Sequence, residues 1–209
     1  EFKNVKKEYR GEVKVQAVND CSFKINEGEF VVVLGASGAG KTTILNMLGG
    51  MDTPTEGQIF VNEKEITKLD YNELIDYRRH DIGFVFQSFQ LLGHLSALEN
   101  VLLPLRLQPN FNYQQAQARA LYLLEKVGLA RQAQQTPKVL SGGEQQRVAI
   151  ARALVTEPKI IFADEPTGNL DGQTAYEIEQ LLFDLNRELG TTLVLVTHDT
   201  QLAAQCQRH

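Results

Sequence analysis

The loop at residues 35–42 constrains the fold of this chain more than any other stretch. It reads Gly35-Ala36-Ser37-Gly38-Ala39-Gly40-Lys41-Thr42. An unbroken apolar run at 30–34 precedes it, which is typical of a parallel strand buried on both faces. A helical segment at 43–48 follows and ends at Gly49. The loop therefore joins a buried strand to a helix N-terminus, the context in which Gly-x-x-x-x-Gly-Lys-Ser/Thr binds phosphates.

Each residue type in this loop suits a nucleoside triphosphate. Glycines let the backbone approach a phosphate closely, and successive N–H groups at a helix N-terminus bind oxyanions. Lys41 can bridge the outer phosphates, and the Thr42 hydroxyl is a hard ligand for Mg²⁺, with Thr43 close by. The alternative is a glycine-rich turn that contains a lysine by chance. That interpretation would not explain why a buried strand precedes the loop and a helix follows it. We therefore predict that residues 35–43 bind a nucleoside triphosphate together with Mg²⁺.

Composition excludes several other classes of protein. The 209 residues carry a net charge of -5, so nothing indicates a basic surface for nucleic acid, and we expect no such partner. No apolar run approaches the roughly 20 residues of a membrane span. Two cysteines, Cys21 and Cys206, are too few for a disulfide framework. The chain starts without methionine and ends in an apparent helix, so we expect it to be truncated at its C-terminus.

Polar side chains follow the predicted parallel strands at the point where each strand ends. They are Gln87, Asp164, Glu165 and His198. Because the carboxyl ends of parallel strands meet at one edge of a sheet, these side chains should lie beside the phosphate loop. This alternation of strands and helices predicts an α/β fold of the P-loop NTPase type.

The same four residues suit the hydrolysis of a phosphate bond. Asp164 can hold Mg²⁺ through water, since Mg²⁺ keeps several waters and uses few carboxylates. Glu165 is the candidate that polarises the attacking water, and His198 can contact the terminal phosphate or hold that water and Glu165 in line. Gln87 can ligate Mg²⁺ or position water, but on residue type alone a polar loop residue is as good an interpretation. For Asp164 and Glu165 the alternative is a solvated pair that caps a turn.

The sequence also predicts how the chain is divided. We expect a single domain over 1–209, with 1–87 and 157–209 forming the ATPase core and 88–156 an inserted helical subdomain. The core includes an N-terminal antiparallel β subdomain with strands at 2–9 and 13–25. Helices are expected at 71–79, 97–103, 113–127 and 174–189. We expect Pro104 to stop the second of these, and Leu121 and Leu189 to lie on the buried faces of the last two.

A second anion-binding feature opens another predicted helix. It reads Leu140-Ser141-Gly142-Gly143-Glu144. Ser141 can serve as an ordinary helix N-cap. Alternatively, the segment can bind a nucleotide held by another copy of the protein. The sequence pattern leaves both interpretations open.

Taken together, these motifs resemble the ATP-binding cassette (ABC) ATPases over nearly the whole chain. The motifs are the loop at 35–42, Gln87, the signature at 140–144, Asp164-Glu165, Asn169-Leu170-Asp171 and His198. The resemblance implies a RecA-like core with a mixed, mainly parallel sheet, ATP and Mg²⁺ as cofactors, and ATP hydrolysis. It also implies that two copies pair head to tail.

The resemblance gives roles to residues outside the phosphate loop as well. Tyr9, which by position alone is an ordinary strand aromatic, would stack on adenine. Asp171 would lie at the dimer interface. The residues that would contact ATP in the facing subunit are Ser141, Gly142, Gly143 and Glu144. The segment after Gln87 would dock a membrane subunit.

Two stretches, 166–171 and 91–101, are similar to one branch of this family. That branch contains lipoprotein-release, macrolide-efflux and cell-division ATPases. It implies a motor for a separate integral membrane permease, working at the cytoplasmic face of the inner membrane in export or in mechanical coupling, with the substrate chosen by the membrane partner. Ala39 and the lack of an acidic residue at 134–139 depart from the family pattern. The alternative is a non-transport ABC ATPase of DNA repair or translation, which a compact insert and a single cassette disfavour.

Overall fold

The computed structural model of the chain describes residues 1–11, 14–199 and 202. Three sequence predictions lie outside them: the strand start at Val13, the second cysteine at Cys206, and the helical ending of the chain. The described strands are β1 Phe2–Tyr9, β2 Val15–Phe23, β3 Phe30–Leu34, β4 Glu56–Val61, β5 Lys64–Glu65, β6 Ile82–Phe86, β7 Ile160–Asp164 and β8 Thr192–Thr197. The described α-helices are α1 Lys41–Leu48, α2 Tyr71–His80, α3 Ala97–Arg106, α4 Tyr113–Lys126, α5 Gly142–Leu154 and α6 Gly172–Leu189.

A four-stranded parallel sheet in the order β3-β8-β7-β6 forms the centre of the fold. Its strands are apolar runs with helices between them in the chain, as a parallel sheet covered on both faces requires. The register brings the carboxyl ends of the strands level: Leu34 pairs with Thr197, and Asp164 pairs with both Phe86 and Val196. All polar residues that follow these strands therefore emerge at one edge. The predicted P-loop α/β fold is confirmed.

The N-terminal strands form a second sheet, antiparallel, in the order β2-β1-β4-β5. A buried cluster that includes Phe2, Leu45 and Phe162 fills the space between this sheet, α1 and the parallel sheet. β1 ends at Tyr9, so this packing brings its last residue close to α1. The predicted strand at 13–25 is shorter than expected, because β2 ends at Phe23.

Helices α3, α4 and α5 lie between β6 and β7 in the chain and share one apolar core with α6. α5 also packs against β6, so the helical segment is fastened directly to the parallel sheet. The division into a core and a helical subdomain remains a prediction. Among the described helices, none has the length and apolar character needed to span a membrane.

Three details of the predicted helices are wrong. Pro104 does not stop α3, which continues to Arg106. A proline this close to a helix end removes a single main-chain hydrogen bond, and the contact of Leu105 with the core outweighs that loss. Leu121 is 40% exposed, because the buried face of α4 runs through Ala120 and Leu124 instead. Leu189 is 39% exposed at the last position of α6.

Candidate nucleotide-binding site

A cleft of about 810 Å³ opens at the carboxyl edge of the parallel sheet. Its lining contains most of the predicted site. The lining residues are Tyr9, Val15, Gln16, Ala17, Ser37, Gly38, Gly40, Lys41, Thr42, Thr43, Gln87, Asp164, Glu165 and His198. β1, β2, the phosphate loop and the ends of β6, β7 and β8 thus meet around one cavity. The remaining predicted loop residues, Gly35, Ala36 and Ala39, complete the turn, in which Ala39 N donates to Ala36 O at 3.2 Å.

The N-terminus of α1 is the part of the cleft best suited to phosphate. Gly40 is its N-cap, in a left-handed conformation with φ of 86°, and no side chain caps the helix. A Cβ at this position would overlap the carbonyl oxygen of Ala17, so only glycine fits. The other described α-helices each begin with a capping side chain, at Asp70, Ser96, Asn112, Ser141 and Asp171. The first N–H groups of α1 therefore remain available to an anion.

Lys41 places a cation inside the phosphate loop. Its side chain is 8% exposed, and its Nζ donates to the carbonyl oxygens of Gly35 at 2.7 Å and Ala36 at 2.9 Å. An ammonium group has three donors, so one is left for an oxygen of a bound phosphate. The aliphatic part of the side chain packs beside Gly35. The loop carbonyl groups thus hold the Lys41 ammonium group in place without a ligand.

Thr42 and Asp164 supply the oxygen donors that Mg²⁺ prefers. Thr42 Oγ1 donates to Asp164 Oδ1 at 3.2 Å. Burial is the main factor that raises the pKa of Asp164, and the neighbouring charge of Glu165 adds to it, while the hydrogen bond from Thr42 opposes it. The described residues contain no cluster of three acidic, histidine or cysteine side chains that would hold a metal alone. This donor set therefore fits an ion that completes its shell with water and phosphate oxygens, as Mg²⁺ does.

Glu165 and His198 form a pair across the same cleft. His198 Nδ1 lies 2.8 Å from Oε2 of Glu165, so the carboxylate accepts a hydrogen bond when Nδ1 carries the proton. Glu165 has a φ of 46°, a left-handed conformation that costs energy for a residue with a side chain. Its main-chain N–H donates to Val196 O at 2.9 Å, which holds the backbone in that conformation. The pair lies beside Asp164, where a water could be placed against a terminal phosphate.

Tyr9 adds an aromatic surface to the lining of the cleft. Its hydroxyl donates to Asp52 Oδ2 at 2.7 Å, and Lys7 Nζ lies 4.8 Å from the ring centroid. Burial is the main cause that raises the pKa of its hydroxyl, and the hydrogen bond to Asp52 adds to it. The ring is 42% exposed although it is anchored at its tip. A fixed, accessible ring at this place fits the stacking of a base.

The signature residues at 141–144 and Asp171 do not line this cleft. Ser141 caps α5: its Oγ accepts from Glu144 N at 3.2 Å, and Glu144 Oε2 accepts from Ser141 N at 2.8 Å. Asp171 caps α6 by accepting hydrogen bonds from Thr174, which are the main cause that lowers its pKa. Capping is thus the role visible within one chain. The proposed contacts with a second chain remain predictions.

Sequence reasoning missed the contribution of β2. Val15, Gln16 and Ala17 line the cleft near Tyr9, and Val15 is largely exposed there. The packing of Gly40 against the Ala17 backbone brings β2 to the phosphate loop. No motif marks these residues.

The fold and the cleft together define a P-loop nucleoside triphosphatase. The family model "ABC transporter" matches residues 18–168, more than half of the chain. The chain therefore belongs to the ABC transporter family, and it is an ATPase of that family. The predicted resemblance is confirmed.

Similar proteins come from several bacteria. The lipoprotein-releasing system ATP-binding protein LolD of Acinetobacter baylyi is 48% identical over 204 residues, covering 97% of this chain and 90% of that protein. The macrolide export ATP-binding/permease protein MacB of Bdellovibrio bacteriovorus is 45% identical over 210 residues, all of this chain but 32% of that protein. The non-transport alternative is not favoured by these relatives.

Among solved structures, the ATP-binding cassette MJ0796 is similar over nearly the whole chain. Its dimeric post-hydrolysis state bound to ADP and Pi superimposes with a TM-score of 0.87, at 48% identity, covering 97% of this chain and 89% of that one. A second dimeric structure, described as a bacterial ABC transporter cassette, gives a TM-score of 0.89 at 47% identity. These matches confirm the fold class.

Proposed function

We propose that this chain is the motor subunit of an ABC transporter and that the cleft residues hydrolyse ATP. Glu165 polarises the attacking water, and His198 holds that carboxylate in line. Lys41 and the N-terminus of α1 bind the phosphates, and Tyr9 carries the base. The 2.8 Å contact between Glu165 and His198, beside the phosphate loop, is the observation that supports this assignment most directly.

Thr42, Asp164 and Gln87 would hold Mg²⁺, with Asp164 acting through water. When bound, Mg²⁺ neutralises charge on the outer phosphate oxygens during phosphoryl transfer. The chain's own part is to position the reacting groups. The buried charge of Lys41 and the uncapped helix N-terminus fix the phosphates, while the strained backbone of Glu165 orients its carboxylate.

We further propose that two copies pair head to tail and share two ATP molecules. The signature residues are absent from the lining of the cleft of their own chain, so they do not cover it within one subunit. In the pair, Ser141, Gly142, Gly143 and Glu144 of one copy would cover the phosphates bound by the other, and Asp171 would lie at the contact. The dimeric state of the cassette MJ0796 supports this arrangement. Hydrolysis would then let the two copies part.

The energy would drive an integral membrane permease at the cytoplasmic face of the inner membrane. LolD is named as part of a lipoprotein-releasing system, and MacB as an ATP-binding/permease protein. We therefore propose export, lipoprotein release or mechanical coupling as the work done, with the substrate selected by the permease. In membranes from the native cell, this chain should co-purify with a protein that has several membrane spans. Recovery only in the fraction without membranes would contradict the proposal.

The Glu165→Gln variant tests the catalytic site and the dimer together. Loss of the general base should slow hydrolysis by about 10²–10⁴-fold. ATP should then remain bound and hold two copies together, because the step that separates them is blocked. Light scattering on a sizing column, with ATP, with ADP and without nucleotide, measures the mass of the particle.

Glu125→Gln is the matched control, because Glu125 is exposed on α4 and outside the cleft. It should hydrolyse ATP normally and should not be trapped as a dimer. A Glu165→Gln protein that binds ATP but remains a monomer would contradict the shared site. Normal turnover by that variant would contradict the role of Glu165.

A further inference from the structure

The side-chain amide of Asn169 forms a reciprocal pair with Gln87. Gln87 Nε2 donates to Asn169 Oδ1 at 3.2 Å, and Asn169 Nδ2 donates to the main-chain oxygen of Gln87 at 3.0 Å. Gln87 lines the nucleotide cleft, whereas Asn169 is not among the lining residues. Asn169 therefore contacts the cleft indirectly, through its two hydrogen bonds with Gln87.

Gly168 leaves the space that this pair needs. A Cβ at this position would lie 2.7 Å from Gln87 Nε2 and 3.1 Å from its Cδ. These distances are too short for an unstrained contact, so a side chain at 168 would push the Gln87 amide away from Asn169. The loop after β7 is thus shaped around the Gln87 side chain, independently of the two hydrogen bonds.

Gln146 of α5 anchors the bases of both loops. It is fully buried, and its Nε2 donates to Pro166 O at 2.6 Å and approaches Phe86 O at 3.4 Å. Phe86 comes directly before Gln87, and Pro166 begins the stretch that leads to Asn169. The pairing of Phe86 with Asp164 and this buried amide together hold the bases of the two loops at a fixed distance, below the exposed amide pair.

We propose that Asn169 is a positioning residue that orients Gln87 for ATP hydrolysis. The proposal rests on the role given above to Gln87. Asn169 lies two residues before Asp171, which we place at the dimer interface. Movement of this loop when two copies meet would be transmitted to Gln87 through the amide pair. The pair thus links the subunit contact to the nucleotide cleft of the same chain.

A double-mutant cycle tests this link, using Asn169→Ala, Gln87→Ala and the double variant. Asn169→Ala removes two hydrogen bonds that hold a site residue in place, so kcat should fall about tenfold. KM for ATP should change less than about twofold, because Asn169 does not line the cleft. In the Gln87→Ala background, Asn169→Ala should cause no further loss, since it acts through Gln87.

Thermal unfolding separates positioning from general damage. Gln87 and Asn169 interact in a solvent-exposed setting, so Asn169→Ala should shift Tm by less than about 2 °C. Gln58→Ala, which removes an exposed amide that donates to Glu65 on the antiparallel sheet, is the control and should leave kcat unchanged.

Three results would overturn the proposal. One is a normal kcat for Asn169→Ala. Another is an equal fold-loss from Asn169→Ala with and without Gln87, which would refute the positioning role but leave the role of Gln87 intact. A normal kcat for Gln87→Ala would refute the role of Gln87 itself, and this proposal with it.

Discussion

At the scale of single residues, the negative charge of the Asp164 carboxylate lowers the stability of the nucleotide-free protein. Burial raises the pKa of Asp164 above its ordinary value of 3.8. The folded state therefore binds this proton more tightly than the unfolded state does, so the contribution of Asp164 to stability falls as pH rises through the raised pKa. Below the ordinary pKa, both states are protonated and the penalty vanishes. Above the raised pKa the penalty is fully present.

The Asp164→Asn variant should therefore be more stable than the original protein at neutral pH. Asparagine keeps an oxygen that accepts from Thr42 but carries no charge. We expect a higher Tm at pH 7–8, without nucleotide and Mg²⁺, and a gain that disappears as pH falls toward 3.8. ATP hydrolysis should be lost, because the metal loses a carboxylate. Such an exchange of stability for activity is common at active sites.

A pH series of thermal unfolding curves measures this effect. Asp184→Asn is the control, because Asp184 is exposed on α6 and does not line the cleft. It should not reproduce the gain of the Asp164 variant at neutral pH. A Tm for Asp164→Asn at or below that of the original protein across the whole range would contradict the cost assigned to this carboxylate.

Single residues also show what the sequence could reveal of the site. Asp164, Glu165, Gln87 and His198 could be predicted to lie together, because each follows an apolar strand and parallel strands end at the same edge. The contact between Asn169 and Gln87 could not be predicted, although both residues belong to recognisable motifs. Their contact depends on how two loops are placed relative to each other, and the strand pairing and the buried Gln146 amide that set this placement carry no sequence signal.

At the scale of elements, the parallel strands were the most predictable part of the fold. The boundaries of β3, β6 and β8 agree with the predicted strands, because strands buried on both faces are mainly apolar and contrast with the polar segments around them. Helix faces were less predictable. α4 buries Leu123 and exposes Leu121, and this choice depends on the direction from which α3 and α5 pack against it.

At the scale of elements, the presence or absence of a side-chain cap distinguishes the ligand-binding helix α1 from the other described α-helices. α2, α3 and α5 begin with a reciprocal capping box, formed by Asp70, Ser96 and Ser141 with the acidic residue three positions later. α1 has no side-chain cap and no acidic residue in its first turn. Since uncapped N–H groups cost energy unless something binds them, α1 is built for an anion. The cap at Ser141 is compatible with a second role, because its hydroxyl can also donate.

At the scale of the whole molecule, the central question is whether each ATP is held by one chain or by two. Residues 35–43 and Ser141 belong to the same chain, but Ser141 does not line the cleft formed by that loop. If two copies pair head to tail, each working site combines the loop of one copy with the signature of the other. The number of intact sites in a dimer with two substitutions then depends on whether both lie on the same chain or on different chains.

Mixed dimers carrying Lys41→Ala and Ser141→Ala distinguish these arrangements. The two versions of the chain are joined by a flexible linker into one polypeptide, so that they cannot exchange partners when hydrolysis lets them part, and its ATPase activity is measured. When one chain carries Lys41→Ala and the other Ser141→Ala, both defects fall in one shared site, and the other site is intact. We expect about half of the original activity if the sites work independently. When one chain carries both substitutions, each shared site has one defect, and activity should be largely lost.

Ser96→Ala controls for the loss of a helix cap. Ser96 forms the same capping box as Ser141, at the start of α3, and does not line the cleft. Replacing either serine should cost about 1 kcal/mol of stability. A chain with Lys41→Ala and Ser96→Ala, paired with an original chain, should therefore retain its one intact site, whereas the same dimer with Ser141→Ala should not. If each chain held its ATP alone, the order would reverse: the dimer with both defects on one chain would be active, and the dimer with the defects divided between its chains would be inactive.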